Sequence, residues 1–474
     1  MPKLRISVSD FLFWMVTFSL TLGLFLPAFS SCFFQDDWCS FSISHATSVK
    51  DFGQFFWPRT DVIYYRPLGM QVPFFLLRSL FGLTTWPFRT LTLVLHLVNG
   101  ILVYELLRHF LKAKIPAQLG AFFYLTAAVH WIIFYWAATF AFVLGPTFYL
   151  SSLVSFLNKK YGLSLILFAL GLLTNEFLLT LPVIISLWML LFSKLNLRYL
   201  VKMGCIASFY ILIRFGVAHV PVSGSYALTL SPTQLVLNLR NYLLWSFNWP
   251  DEIQNQFVTM FKLNSQFVTN FSREIRFWLV NLVLFISFFA VVPLSKIFRD
   301  RKSQKDILKI VLFGGLWYMI TLAPVLFFEG HAFSYYLVLP LIGLLLAALI
   351  LAENWLQREK QTSLVYVCLL FACSAWYVSA FRTTRLNTYI HWAPRRAKIA
   401  QQIISKAQSQ YPTVEPNSVV IVPENSEYMW ALGDQNALQV IYGDTSIATF
   451  YGSSKSYQKS ALAKQKVYQL QLSD

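Results

Sequence analysis

The feature that most constrains this chain is a series of apolar blocks, each about 15–21 residues long, separated by short loops rich in lysine and arginine. A helix of that length can cross the hydrocarbon layer of a membrane, with some tilt or local thinning. The composition agrees, because 57% of the 474 residues are hydrophobic and only 12% are charged. A soluble domain carries roughly twice that charged fraction. The sequence therefore predicts an all-α polytopic membrane protein.

About eleven membrane-spanning helices are predicted, and the basic residues between them indicate their orientation. The blocks lie near 11–31, 88–108, 117–135, 139–157, 161–175, 177–193, 199–219, 277–294, 310–328, 335–353 and 363–381. Lysine and arginine accumulate in the short loops on the cytoplasmic side of a membrane. The predicted cytoplasmic loops contain Lys3, Arg5, Lys112, Lys114, Lys159, Lys160, Lys194, Arg198, Lys202, Lys296, Arg299, Arg301, Lys302, Lys305, Lys309, Arg358 and Lys360. This pattern predicts a cytoplasmic N-terminus and a C-terminal tail on the outer side of the membrane.

Two simpler interpretations of these patterns are less favoured. The net charge of +17 could indicate nucleic-acid binding, but the basic residues lie in short loops between apolar blocks, so no nucleic-acid partner is predicted. The first block could be a cleaved signal peptide that ends near Ala28-Phe29-Ser30. Its apolar run is long for a signal peptide and further spans follow, which favours an uncleaved anchor.

Two large segments of the predicted outer face, 32–87 and 220–276, each contain a candidate interfacial helix. Residues 68–81 are too few to span the membrane, and the segment includes Pro73 and Arg78, so an amphipathic helix lying at the interface is predicted. Residues 231–247 begin with Ser-Pro, a helix-start signal, and have one apolar face.

The tail from 382 to 474 changes character and is predicted to form a small α/β appendage. A helix is predicted at 393–409, and strand-like runs follow at 418–422, 438–442 and 446–451. The chain is accordingly divided into a transmembrane domain of residues 1–381 and a small extracytoplasmic domain of residues 382–474.

Asp36 and Asp37 stand side by side just after the first apolar block, on the predicted outer face. A carboxylate pair at a membrane face is costly and is typical of ion-coupled transporters and of enzymes that act on lipid-linked substrates. One carboxylate could take a proton from an acceptor hydroxyl, while the other orients the acceptor, raises the pKa of the first or helps to hold a divalent cation. A helix cap explains one aspartate more easily than two. Cys32 and Cys39 flank the pair. They could form a disulfide or remain two free thiols.

Further candidates lie on the same predicted face, and each has a plain structural alternative. Arg66, preceded by Tyr65, could hold a phosphate or extend to lipid headgroups. Glu176 is the one charge in an apolar stretch, which makes it a functional candidate. Its structural alternative is a simple turn residue. His331 and Tyr335 could donate hydrogen bonds to a phosphate or sugar, or form part of an interfacial aromatic belt. Arg382 could meet an anionic headgroup or be ordinary surface charge.

Four short stretches give the chain a resemblance to the C-type superfamily of membrane glycosyltransferases, which includes the protein O-mannosyltransferases and the aminoarabinose lipid A transferases. The stretches are Phe34-Gln35-Asp36-Asp37-Trp38, Tyr65-Arg66-Pro67-Leu68, His96-Leu97-Val98-Asn99, and Asn175-Glu176-Phe177 followed by Pro182. The resemblance covers the N-terminal half best. Asn175 replaces the lysine usual in the family, and Gly330-His331 stands where many relatives have Glu-Arg.

The resemblance implies an inverting displacement from a polyprenyl-phosphate sugar donor, with Asp36 as the base and Arg66 near the phosphate. The acceptor would be a hydroxyl of a lipid, glycan or protein, and the transferred group a hexosyl or pentosyl sugar. A multi-pass protein of a bacterial plasma membrane, with its active site on the extracytoplasmic face, is expected. A transporter or flippase of lipid-linked saccharide is the main alternative, and a non-catalytic envelope scaffold is the other. Broken helices, inverted repeats and midplane charges, which mark transporters, are not clear in the sequence.

Overall fold

A computed structural model of the chain describes residues 7–60, 62, 64–217, 227–286, 301–358, 363–457 and 465–472. The helices of its N-terminal part are α1 Val8–Phe25, α2 Asp36–Ser42, α3 Val49–Gln54, α4 Val72–Phe81, α5 Trp86–Phe110, α6 Lys114–Leu125, α7 Trp131–Tyr135, α8 Ala141–Leu157, α9 Tyr161–Leu172, α10 Leu181–Phe192 and α11 Leu197–Val217. Those that follow are α12 Pro232–Ser246, α13 Ser265–Asn270, α14 Ser272–Ile286, α15 Arg301–Leu326, α16 Pro340–Arg358, α17 Ser363–Ile390, α18 Trp392–Gln410, α19 Ser426–Leu432, α20 Asn436–Tyr442 and α21 Ser454–Tyr457.

The long apolar helices confirm a helical, multi-pass membrane protein. Within the described residues, six helices are long and apolar enough to cross a membrane, namely Val8–Ser30, Trp86–Phe110, Ala137–Leu157, Leu197–Gly216, Gln304–Leu326 and Val367–Ile390. Three shorter apolar helices accompany them, at Tyr161–Leu172, Glu176–Phe192 and Pro340–Glu353. The count of eleven spans and the orientation stay predictions. Residues 287–294 of the predicted eighth span, and the predicted cytoplasmic residues Lys3, Arg5, Lys296, Arg299 and Lys360, lie outside the described ranges.

The predicted span at 117–135 is broken. Lys114–Leu125 and Ala128–Tyr135 meet at an angle of 41°. The Thr126 hydroxyl donates to the Phe122 carbonyl at 2.7 Å, and the Ala128 amide donates to Asn248 Oδ1 at 2.8 Å. A break within an apolar span leaves backbone groups that buried protein groups must satisfy, and Asn248 satisfies one of them here.

The first predicted interfacial helix begins with one π-helical turn, Pro67–Gln71, that continues into α4. Pro67 occupies the first helical position, where a missing amide hydrogen costs nothing. Gly69 faces the Thr174 carbonyl so closely that a β-carbon there would collide with it. This approach brings the residue before the turn, Arg66, towards the loop that follows α9. The second predicted helix is α12.

The C-terminal tail forms the predicted α/β unit, with one correction. Its parallel sheet has the strand order β2-β1-β3, with β1 Val419–Val422, β2 Ala448–Tyr451 and β3 Val467–Gln469. Residues 438–442, predicted as a strand, lie in the helix α20. A short apolar run is compatible with either structure, and here Gly443 at φ +70° ends a helix whose Ala437 and Leu438 are buried.

Candidate active site

Asp37 is a structural carboxylate that fixes the turn between α1 and α2. It is fully buried, and its Oδ2 accepts a hydrogen bond from the Phe34 amide at 3.2 Å. Its Oδ1 accepts another from the Ala138 amide at 2.6 Å. Burial raises the pKa of Asp37 to about 7, although Arg89 and the two amides oppose the rise. The second aspartate of the pair therefore attaches the start of α2 to the 3₁₀ turn Ala137–Phe140.

Asp36 is bonded differently from its neighbour. Its side chain is half-buried, and its carboxylate makes no hydrogen bond to any residue in the described ranges. Burial raises the pKa of Asp36 to about 6, and the positive charge of Arg396 acts in the opposite direction. A carboxylate with these properties is mostly ionised at neutral pH and has both oxygens available to an incoming hydroxyl.

Arg89 is a buried cation beside the acidic pair that sequence reasoning missed. It lies on α5, is fully buried and donates from Nη2 to the Tyr135 carbonyl at 2.6 Å. Its Nε and Nη1 have no hydrogen-bond partner among the described residues, and its charge interacts with that of Asp37. An arginine within an apolar span is a functional signal in itself, and it could have identified Arg89 from the sequence.

Arg66 and Glu176 form a bidentate ion pair. Arg66 Nε donates to Glu176 Oε2 at 2.7 Å, and Nη2 donates to Oε1 at 2.6 Å. The guanidinium carbon lies 4.4 Å from the centre of the Tyr64 ring and 5.4 Å from that of Phe142. Burial opposes the charge of Arg66, but the Glu176 carboxylate outweighs burial and raises the pKa of Arg66. The structure thus brings together two predicted site residues that are 110 positions apart in sequence.

His331, Tyr335 and Tyr336 border this ion pair. The His331 ring lies 4.8 Å from Phe333 and 6.0 Å from Tyr336. Burial, together with the positive charge of Arg66, lowers the pKa of His331 to about 4. The imidazole is therefore neutral at physiological pH, and it can donate one hydrogen bond but brings no positive charge.

A row of aromatic rings connects the acidic pair with the Arg66–Glu176 pair. Phe34 stacks on Trp136 at 6.3 Å, Trp136 lies 6.5 Å from Tyr335, and Tyr335 lies 4.7 Å from Phe142. Phe142 is the ring beneath Arg66. The backbone connects them too, because Asp37 is bonded to Ala138, and three residues later Ala141 packs against Gly69 of the turn that follows Arg66. A continuous series of packing contacts therefore connects the two charged groups.

Two other predicted residues lie elsewhere or act structurally. The Tyr65 hydroxyl donates to the Phe56 carbonyl at 2.9 Å, so it holds together the segment between α3 and α4. Arg382 lies within α17, and its guanidinium packs over the Phe277 ring of α14 at 4.2 Å. No disulfide joins Cys32 and Cys39.

Arg214 and Tyr210 on α11 complete the surroundings of Glu176 and were not predicted. Arg214 is buried and its charge interacts with the Glu176 carboxylate. The Tyr210 hydroxyl donates to the Tyr65 carbonyl at 3.3 Å. The carboxylate of Glu176 thus faces arginines from two elements. Like Arg89, Arg214 is an arginine within an apolar span.

A second acidic pair, Asp251 and Glu252, lies beside His391 and was also missed. His391 Nε2 is 3.9 Å from Asp251 Oδ2 and 4.0 Å from Glu252 Oε1. Burial raises the pKa of Asp251 to about 7.

In the described part of the chain, no three histidine, cysteine, aspartate or glutamate side chains are grouped so that they could hold a metal ion.

Comparison with known proteins gives similarity to solved structures. No protein-family model matches the chain, and no curated protein matches its sequence. Among solved structures, the chain is similar to the crystal structure of ArnT from Cupriavidus metallidurans bound to undecaprenyl phosphate, with 13% identity and a TM-score of 0.49. The match covers 97% of this chain and 90% of that chain. At this identity and TM-score, the likeness assigns no family, substrate or residue role to this chain.

Proposed function

We propose that this protein is an inverting glycosyltransferase that moves a sugar from a polyprenyl-phosphate donor to a hydroxyl acceptor at the extracytoplasmic face of a bacterial plasma membrane. One observation carries the proposal. Asp36 presents an ionisable carboxylate without a hydrogen-bond partner in the described residues, in a site whose other charged groups include buried arginines. Transfer from a lipid phosphate needs both a base for the acceptor and cations for the phosphate that leaves.

Asp36 is the base in this mechanism. Its carboxylate takes the proton of the acceptor hydroxyl while that oxygen attacks the anomeric carbon. The bond between the anomeric carbon and the phosphate oxygen breaks on the opposite side, and the configuration at the anomeric carbon inverts. Asp37 takes no proton from substrate in this scheme, because both of its oxygens accept hydrogen bonds from backbone amides.

Arg66 stabilises the departing phosphate. Glu176 occupies its Nε and Nη2, and no described residue bonds its Nη1, which leaves N–H groups free for a phosphate oxygen. The ion pair fixes the guanidinium plane before substrate arrives, which is how preorganised charge lowers a barrier. Neutral His331 can donate one further hydrogen bond.

The test is mass spectrometry of lipids that copurify with the wild-type protein and with Asp36→Asn. We expect the variant to retain a sugar-charged polyprenyl phosphate, because it binds the donor but lacks the base, and its transfer rate to fall by about 10²–10⁴-fold. The mass of the retained lipid would identify the sugar.

Asp51→Asn is the matched control. Asp51 lies in the same segment between α1 and α5 and is a partly exposed capping residue of α3. This variant should transfer sugar at the wild-type rate. Full activity of Asp36→Asn would refute the role of base, and absence of any polyprenyl phosphate from both preparations would refute the donor.

A further inference from the structure

We propose that the C-terminal α/β unit is part of the active site: Arg396 and Gly433 are positioning residues that hold Gln35 and thereby aim the Asp36 carboxylate. The inference rests on the proposed function, because it takes Asp36 as the base. It assigns a role in catalysis to the tail, of which the described residues lie between 392 and 472.

The conformation of Gln35 requires outside support. Its backbone has φ +54° and ψ −124°, a region that residues with a β-carbon rarely adopt. Such a conformation persists only where surrounding contacts determine it, and it is found most often at functional sites. Gln35 precedes the first residue of α2, Asp36, so its backbone angles set the direction in which the Asp36 side chain leaves the helix.

The supporting contacts come from the C-terminal unit. The Gln35 amide donates to the Ala431 carbonyl at 2.9 Å. Arg396 Nη1 donates to Gln35 Oε1 at 2.7 Å, and the same guanidinium is held at 3.2 Å by Glu427 Oε1. Its carbon lies 4.9 Å from the Trp392 ring centre and 5.3 Å from that of Trp430. Backbone and side chain of Gln35 are therefore both bonded to residues about 360 or more positions away.

Gly433 makes this approach possible. It caps α19 at φ +56°, and a β-carbon there would lie 2.5 Å from the Gln35 carbonyl oxygen. That oxygen accepts a hydrogen bond from the Trp38 amide at 3.0 Å, within the first turn of α2. Any side chain at position 433 would therefore have to displace the turn that carries Asp36.

Arg396 also acts on Asp36 through charge. It is the cation that favours the ionised form of Asp36 against burial. The other titratable or charged side chains on α2 and on the elements packed around it include Asp37, Cys39, Arg78, Arg89, Arg395, Lys398, Glu427, Tyr428 and Tyr442. Removal of Arg396 should therefore loosen Gln35 and also make Asp36 harder to ionise.

The first test compares Gly433→Ala with Gly443→Ala in the full-length protein. Both glycines cap short helices of the same unit at positive φ, but a β-carbon at Gly443 meets nothing within 4 Å. The backbone strain of the two substitutions is thus matched. We expect Gly433→Ala to lower kcat at least about tenfold with the KM for donor nearly unchanged, and Gly443→Ala to keep kcat. Equal kcat losses in both variants would overturn the inference.

The second test compares Arg396→Gln, Arg396→Lys and Arg395→Gln. Arg395 shares Glu427 with Arg396 at 3.1 Å and is more exposed, so its loss controls for the ion pair alone. Arg396→Gln should lower kcat and move the acidic limb of the pH–rate profile to higher pH, because ionised Asp36 loses its cation. Arg396→Lys should restore the midpoint of that limb, and Arg395→Gln should leave it in place. An unmoved midpoint in Arg396→Gln would contradict the inference.

Failure of the proposed function would be recognised separately. The titration of Asp36 can be followed without any turnover, by infrared carboxylate bands in difference spectra between wild type and Asp36→Asn. If wild type transfers no sugar but Arg396→Gln still raises the midpoint of this band, the function is wrong and the positioning stands. If transfer occurs but neither Arg396→Gln nor Gly433→Ala changes it, the positioning is wrong and the function stands.

Discussion

At the residue scale, hydrogen bonding separates Asp36 from Asp37. Burial raises the pKa of Asp36 to about 6 and the pKa of Asp37 to about 7. Two backbone amides engage Asp37, whereas no described residue bonds the carboxylate of Asp36. Two identical neighbouring residues therefore have different chemistry, because one side chain points into the protein and the other borders the site.

The raised pKa of Asp36 predicts the pH dependence of transfer. A base works in its ionised form, so the rate should be constant well above pH 6 and fall about tenfold per pH unit below it. An aspartate in water would give the same fall near pH 4 instead. The measurement is kcat as a function of pH with saturating donor, and Asp51→Asn should reproduce the wild-type curve. A midpoint near pH 4 would mean that Asp36 is not buried as described or is not the base.

At the element scale, the π-helical turn Pro67–Gln71 positions Arg66, the arginine proposed to stabilise the phosphate. The Leu68 amide donates to the Leu173 carbonyl at 3.0 Å, and Gly69 packs against Thr174 and Ala141. The same contacts bring Arg66 to Glu176, which begins the 3₁₀ turn after α9. Close packing of one turn on another is thus the condition for the ion pair.

Gly69→Ala should separate these elements. The added methyl group would collide with the Thr174 carbonyl, and overpacking of this kind costs about 1–3 kcal/mol. We expect a lower midpoint of thermal unfolding in detergent and weaker donor binding, since Arg66 loses its fixed orientation.

Gly53→Ala is the control for Gly69→Ala. Gly53 lies in α3, in the same segment between α1 and α5, and a β-carbon there meets nothing within 4 Å. A helical alanine is more stable than glycine by about 0.5–1 kcal/mol, so this variant should be at least as stable as wild type. Unchanged stability and donor binding in Gly69→Ala would show that the packing of the turn does not matter.

At the scale of the whole molecule, the arrangement of basic loops predicts a cytoplasmic N-terminus and an extracytoplasmic tail. The proposed site then faces outward, because Gln35 next to Asp36 contacts the C-terminal unit directly. The side of the membrane on which the C-terminal unit lies therefore predicts the side on which the proposed site lies.

Cysteine labelling in intact cells tests this orientation. In a variant whose five native cysteines are replaced, a single cysteine at the exposed position Glu424 should react with a membrane-impermeant maleimide. A single cysteine at the exposed position Lys160 should react only after the membrane is permeabilised, since it lies in a predicted cytoplasmic loop. The reverse pattern would place the proposed site in the cytoplasm.

The sequence by itself determined the class of the protein and the position of most helices. Hydropathy and loop charge are local properties, so long apolar helices such as Trp86–Phe110 and Ala137–Leu157 follow from them directly. The four motifs likewise marked Asp36, Asp37, Arg66 and Glu176 before any contact was known. Local signals were insufficient at 438–442, where a short apolar run is compatible with a strand or a helix.

Only the tertiary structure decided how these residues act together. The Arg66–Glu176 ion pair joins residues 110 positions apart, and the Arg396–Gln35 bond joins residues 361 positions apart. No local pattern encodes such distances. The same is true of the difference between Asp36 and Asp37, because it depends on which carboxylate reaches the Ala138 amide. Burial and hydrogen bonding set the charge and the accessibility of an acidic group, and both are properties of the packed molecule.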